Sequence, residues 1–205
     1  MSTVALVDDD PGVLDALGTL LASRGHAVDR YANATEFLAA PPACGCVLSD
    51  VRMPGLNGLE LLASLQAAGD PRPVILLTAH GDVEMAVRAL KQGAFDFIEK
   101  PFEEERLLGA VAKAVEAGQA TAVRMTELTD LRQRYETLSD RQREVMWLVV
   151  AGYANKEISA RLGISIRTVE TYRAWAFEKM GAKTLAELVR HGIALEEALG
   201  EREKP

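Results

Sequence analysis

Carboxylates recur in this chain at places where they can do chemistry. Asp8, Asp9 and Asp10 follow the apolar run 3–7, and Asp50 follows Cys46-Val47-Leu48-Ser49. Thr78 follows the run 73–77, and Lys100, with Pro101 behind it, follows 95–98. Several carboxylates brought to one place repel each other and titrate abnormally unless a cation intervenes. A hard divalent ion such as Mg²⁺, which takes few carboxylates and keeps several waters, is the natural neutraliser. These positions offer no sulfur or imidazole cluster, no Gly-rich phosphate loop and no Ser/His/Asp set. What they can do is use a carboxylate as a nucleophile towards phosphorus, forming an aspartyl phosphate while metal and Lys stabilise the oxygens. Asp50 is the candidate nucleophile, because it stands alone at the end of a central strand whereas Asp8 and Asp9 are paired for metal holding. Taken singly, each residue has a plainer use: Asp8 or Asp9 as a helix N-cap, Asp50 as a turn residue, Lys100 as a surface cation.

These side chains meet only if a fold delivers them to one edge. From residue 3 to about 116, five apolar runs, at 3–7, 27–31, 45–49, 73–77 and 95–98, alternate with segments of helical period. Strand and helix in alternation imply a parallel sheet covered on both faces, and the flavodoxin-like doubly wound α/β order is the expected solution. In such folds the chemistry sits at the carboxyl ends of the strands.

At 205 residues the chain has room for two domains. Its formal charge of −7 hides a split: residues 1–120 hold 9 Lys and Arg against 17 Asp and Glu, while residues 138–192 hold 9 against 6. The acidic half suits a cation site, and the basic half suits phosphates. No apolar stretch approaches the ~20 residues needed to span a bilayer, so a cytoplasmic protein without a membrane partner is expected. Cys44 and Cys46 are read as reduced packing residues.

The blocks VDDD at 7–10, SDVRMPGLNG at 49–58, LLTAHGD at 76–82 and DFIEKPF at 96–102 together resemble the receiver domain of bacterial two-component response regulators. That resemblance covers about residues 1–118. It implies that Asp50 is the phosphoacceptor and that Asp8 and Asp9, with Asp50 and the backbone carbonyl of Arg52, hold Mg²⁺. It also implies that Lys100 contacts the phosphoryl group, with Thr78 the switch hydroxyl and Phe97 the switch aromatic.

From Glu103 to about Thr137 there is no Pro and only Gly109 and Gly118. One reading is an unbroken helix of ~50 Å at about 1.5 Å per residue, suited to pairing with a twin. The other is a helical linker, 119–137, broken near Gly118-Gln119-Ala120. Beyond it, Ser139 and Gln142 form a capping box for one helix, Asn155 can cap a second, and Gly163 ends that one. Ser165 caps a third helix running to about Met180, and Thr184 with Glu187 opens a fourth. Two short helices joined by a Gly-containing turn make a helix-turn-helix. On the third helix Val169, Arg173, Ala176 and Met180 cluster on one side, and Arg167, Thr171, Ala174 and Glu178 on the other, flanked by Glu170 and Trp175. One side is core; the other can enter a major groove.

The motif NKEIS, LGIS, RTVE, EKM within 155–180 resembles the LuxR/NarL-type effector domain, and with the receiver in front the chain looks most like the FixJ subgroup. The resemblance covers about residues 138–192, leaving 193–205 as a tail. It implies base contacts from Glu170, Thr171 and Ala174, and contacts on or near the backbone from Lys156, Thr168, Tyr172 and Lys179. Tyr172 stands where His is frequent, and Trp175 where a charged residue is usual. The whole then reads as a transcriptional response regulator and not an enzyme. A sensor histidine kinase phosphorylates Asp50, the chain pairs as a homodimer, and the dimer binds an inverted repeat in double-stranded DNA and engages RNA polymerase. Two other classes are a phosphotransfer enzyme or phosphatase, and a phosphorylation-independent DNA-binding scaffold.

Overall fold

The computed structural model describes residues 2–79 and 83–199. The chain divides into two compact units, Met1–Ala122 and Val123–Pro205. Among the described residues no helix is long and apolar enough to cross a membrane.

The first unit is a parallel sheet in the order β2-β1-β3-β4-β5, the doubly wound order anticipated above. Its strands are β1 (Thr3–Val7), β2 (Ala27–Tyr31), β3 (Cys46–Asp50), β4 (Val74–Thr78) and β5 (Asp96–Glu99). Between them run α1 (Pro11–Ser23), α2 (Ala34–Ala39), α3 (Gly58–Ala67) and α4 (Val83–Lys91), and α5 (Glu104–Glu136) follows. The pleat sends alternate residues to opposite faces. Leu6, Leu48, Ile75, Leu77 and Ile98 pack under α1 and α5, while Ala5, Val7, Val47 and Leu76 pack under α2, α3 and α4. Because both faces are covered, the central strands read as continuous apolar runs.

The strands β3, β4 and β5 each end one residue later than the apolar runs suggest. Val51 N–H still donates to the Leu77 carbonyl at 2.7 Å and Lys100 N–H to that of Thr78 at 2.6 Å, so the ladder outlasts the hydrophobic signal. Asp50 and Thr78 are therefore the last residues of their strands. The cap of α1 falls on the third aspartate. Asp10, and neither Asp8 nor Asp9, accepts from Gly12 N at 2.8 Å and Val13 N at 3.4 Å.

α5 is one unbroken helix of 33 residues and links the two units. Gly118 does not interrupt it. A Cβ at that position would collide with the Gly45 carbonyl oxygen, so the glycine serves a close backbone approach within the first unit.

The second unit holds α6 (Asp140–Val150), α7 (Asn155–Leu162), α8 (Ile166–Met180) and α9 (Leu185–Leu199) around Val145, Met146, Ile158, Val169, Ala176 and Met180. The end of α5 belongs to this core: Tyr135 is buried, and its hydroxyl accepts from Trp147 Nε1 at 3.0 Å. Ser139 and Gln142 cap α6 reciprocally, as expected. Gly163 closes α7 in the left-handed region at φ 64°, a conformation glycine adopts without cost. Two expectations change. Ala154, not Asn155, is the N-cap of α7, because the Asn155 side-chain oxygen, Oδ1, accepts from Arg173 Nη1 at 2.7 Å. And α9 runs through 193–199, since Leu195 continues the buried stripe begun by Leu188. Residues 200–205 lie outside the described residues.

Candidate functional site

Strand register carries the acidic residues to one row. Val7 pairs with Ser49 across β1 and β3, so Asp8 and Asp50 come next on their strands side by side. Leu77 pairs with both Asp50 and Ile98, which sets Lys100 just beyond that row. Asp8, Asp50 and Lys100 continue the parity of Leu6, Leu48 and Ile98, and their side chains converge. Lys100 Nζ donates to Asp8 Oδ2 at 3.0 Å and to Asp50 Oδ1 at 2.7 Å. Each carboxylate also accepts a backbone N–H on its other oxygen: Asp10 N to Asp8 Oδ1 at 2.9 Å, Arg52 N to Asp50 Oδ2 at 2.6 Å.

Asp8 and Asp50 are buried and Lys100 is half-buried. Burial by itself disfavours the ammonium, but its bonds to Asp50 and then Asp8 outweigh that and raise its pKa above the ordinary lysine value. Two buried anions and one cation thus leave the cluster with an excess of negative charge.

Asp9 is exposed and makes none of these bonds. Among the described residues no three His, Cys, Asp or Glu side chains lie close enough to hold a metal ion, so Asp8, Asp9 and Asp50 are not gathered as a set of three. The oxygens that are gathered belong to Asp8 and Asp50, and both already share one cation, the Lys100 ammonium.

Thr78 and Phe97 lie on the opposite parity. Phe97 pairs with Leu76, packs half-buried in the core beneath α2, α3 and α4, and Thr78 is fully buried two residues beyond Leu76 on β4. Of the block LLTAHGD, residues 80–82 lie outside the described residues. An open cleft of about 560 Å³ adjoins the acid cluster, lined by Asp9, Arg52, Met53, Asn57, Met85 and Arg88. One further residue was not singled out by chemistry: Gly58. A Cβ there would overlap the Asp50 carbonyl oxygen, so only glycine lets α3 start against the Asp50 backbone. Its signal in the sequence is the Asn-Gly pair, where Asn57 and Glu60 cap α3 reciprocally.

The second unit presents α8. Val169, Ala176 and Met180 are fully buried, while Arg167, Glu170, Thr171, Ala174 and Glu178 are exposed, as the helical wheel requires. Thr168 and Tyr172 are half-buried on the border, and Lys156, at the start of α7, is exposed. Lys179 is exposed but tied down: its Nζ donates to the Thr137 carbonyl at 2.7 Å and to Gln142 Oε1 at 2.9 Å.

Residues 4–112 match the response regulator receiver domain, and residues 136–192 match the bacterial regulatory proteins of the luxR family. The chain is 44% identical over 189 residues to the transcriptional regulatory protein FixJ of Bradyrhizobium diazoefficiens, covering 91% of this chain and 92% of that one. Among solved structures it is similar to the response regulator StyR, with 35% identity, a TM-score of 0.80, and 94% and 99% of the two chains covered. It is also similar to full-length FixJ from B. japonicum, at 42% identity and a TM-score of 0.57 over 96% and 98% of the chains. A receiver sheet with its acidic rim, followed by a helix-turn-helix of this kind, places the chain among the FixJ-like transcriptional response regulators of two-component systems.

Proposed function

We propose that Asp50 accepts a phosphoryl group from a sensor histidine kinase and that this controls DNA binding by α8. The observation that carries the reading is the convergence of Asp8, Asp50 and Lys100 at the ends of three separate strands. In the transfer, an Asp50 oxygen forms a bond to phosphorus as the phosphorus–nitrogen bond of a phosphohistidine breaks, and the leaving imidazole keeps the nitrogen electron pair. Lys100 lies where it can neutralise the incoming phosphoryl oxygens without leaving hydrogen-bond range of Asp50. The cleft beside Arg52 and Arg88 gives the donor side chain room to approach. Slow hydrolysis of the aspartyl phosphate would return the site to its starting state.

The donors fit a hard divalent cation, since they are all oxygens and the cluster holds more anions than cations. Asp8 and Asp50, with the Arg52 carbonyl and waters, would hold Mg²⁺, and the exposed Asp9 carboxylate would have to turn in to join them. When bound, Mg²⁺ supplies positive charge against the phosphoryl oxygens.

Thr78 and Phe97 are the residues through which a phosphoryl group would act on the α4 face. Thr78 is coupled to Lys100 through the backbone hydrogen bond at 2.6 Å, and Phe97 packs in the core that includes Ala89 of α4. Phosphorylation then favours one of two arrangements of that face, and a coupling of about 1–3 kcal/mol is enough to favour a homodimer. The dimer presents two copies of α8 to an inverted repeat. Arg167, Glu170, Thr171 and Ala174 face the base edges, Lys156, Thr168 and Tyr172 lie at or near the phosphates, and Lys179 braces the end of α8 beside them through Thr137 and Gln142. Promoter binding of this kind recruits RNA polymerase in the cytoplasm.

Acid-labile labelling by radiolabelled acetyl phosphate tests the assignment. The wild type should take one label per chain and pair on phosphorylation, and Asp50→Asn should do neither. Phosphate-dependent pairing that survives Asp50→Asn refutes it.

A further inference from the structure

The charges of α8 raise a difficulty for a helix that must enter DNA. Its cations are Arg167, Arg173 and Lys179, and its anions are Glu170 and Glu178. Arg173 is spent on Asn155, and Lys179 on Thr137 and Gln142. The exposed face is left with Arg167 against two carboxylates, so charge attraction on this face does not provide the affinity. Ala174, in the middle of that face, offers a single carbon.

Beside Ala174 stands Trp175, 43% exposed. It lies one helical turn beyond Thr171 and continues the reading face. Its ring is not loose: the Tyr172 ring lies 5.7 Å from it at 57°, and Tyr172 itself packs on the core of the unit. An aromatic held in place before binding loses little freedom on contact.

We infer that Trp175 is a sequence-reading residue, its indole packing on the 5-methyl group of a thymine in the major groove. The inference rests on α8 being the helix that enters the groove. The major groove presents that methyl as the one apolar mark among its polar edges, and an indole is the largest apolar surface α8 offers it.

The test uses the full chain activated with beryllofluoride and duplexes that the wild type selects from a randomised pool. Each thymine of the selected duplex is replaced in turn by uracil, which removes only the methyl. At one position in each half-site, uracil should weaken the wild type about 4-fold, the worth of one buried methyl. Trp175→Ala should bind the thymine duplex correspondingly less well and be indifferent to uracil there, while unfolding in urea at the wild-type midpoint. A uracil effect that persists in Trp175→Ala, or none in the wild type, overturns the inference. So does a Trp175→Ala chain that keeps its DNA affinity but loses self-association, which would make Trp175 a protein contact. If the wild type selects no sequence at all, the reading of α8 as the groove helix fails first.

Discussion

Lys100 is the cation that two buried carboxylates share, and removing it puts the acid cluster to a direct test. Lys100→Met keeps the aliphatic stem and deletes both ionic hydrogen bonds, at 2.7 and 3.0 Å. Stranding buried charges costs about 3–5 kcal/mol when a partner is removed. The lysine side chain is 22% exposed, which lets water in and places the expected loss at the lower end, about 3 kcal/mol. With a urea slope of about 2 kcal/mol per M, the midpoint falls by about 1.5 M. The chain reports its two units separately, because both tryptophans, Trp147 and Trp175, belong to the second unit. Far-ultraviolet circular dichroism should therefore show the receiver transition moving while the tryptophan fluorescence transition stays in place. The folded Lys100 pKa is raised, so its contribution is complete below about pH 10.4 and is lost only as pH rises through the higher folded value. The deficit of the variant should accordingly be flat from about pH 6 to 9. Divalent Mg²⁺ should restore more stability to Lys100→Met than it adds to the wild type. A variant that unfolds at the wild-type midpoint, or whose fluorescence transition shifts equally, refutes the reasoning.

Gly118→Ala adds a good helix former yet should destabilise the receiver by about 1–3 kcal/mol, because its Cβ meets the Gly45 carbonyl; the same dichroism titration measures it. His191 is held below the ordinary imidazole value by burial and then by Arg134, with its Nδ1 buried and unpartnered. Its stabilising neutral form is present above about pH 6.5 and lost as pH falls through the lower folded value, so fluorescence-detected unfolding should weaken on acidification and His191→Leu should remove that slope. Asp70 is held below the usual carboxylate range by its hydrogen bonds from Arg72, with burial opposing. Asp70→Asn should cost the receiver about 1–2 kcal/mol at neutral pH, and the difference should close as pH falls below the ordinary carboxylate range and through the lowered folded value, as dichroism across that acid range will show.

The receiver is legible because its sheet advertises itself locally. Runs such as Val74-Ile75-Leu76-Leu77 announce a strand buried on both faces, and a parallel order then forces Asp8, Asp50 and Lys100 to one rim. Strand ends lie a residue beyond the apolar runs because hydrogen bonding, unlike hydropathy, continues through Asp50 and Thr78. What stayed hidden depends on partners distant in sequence. Asn155 looks like a cap until Arg173, 18 residues on, claims it. Gly118 looks like a break until Gly45 is found beneath it. Lys179 looks like a free phosphate contact until Thr137 and Gln142 are seen to hold it. Adjacent Asp8, Asp9 and Asp10 are indistinguishable by type, and only the backbone path separates the buried ligand of Lys100, the exposed neighbour and the helix cap.

The two thiols at the other end of the sheet have a practical consequence. Burial raises Cys44 against the opposing pull of Arg72, 3.3 Å away, and pushes Cys46 up to about 12. The thiolate is the form that reacts with maleimides, and an ordinary exposed cysteine ionises at about pH 8.5. The natural pair, Cys46 buried and Cys44 partly so, should therefore label more slowly than a single cysteine introduced on an exposed helix to carry a spin label or dye. Distances between such labels in the whole, unaltered regulator would follow activation without first stripping the chain of its own sulfur.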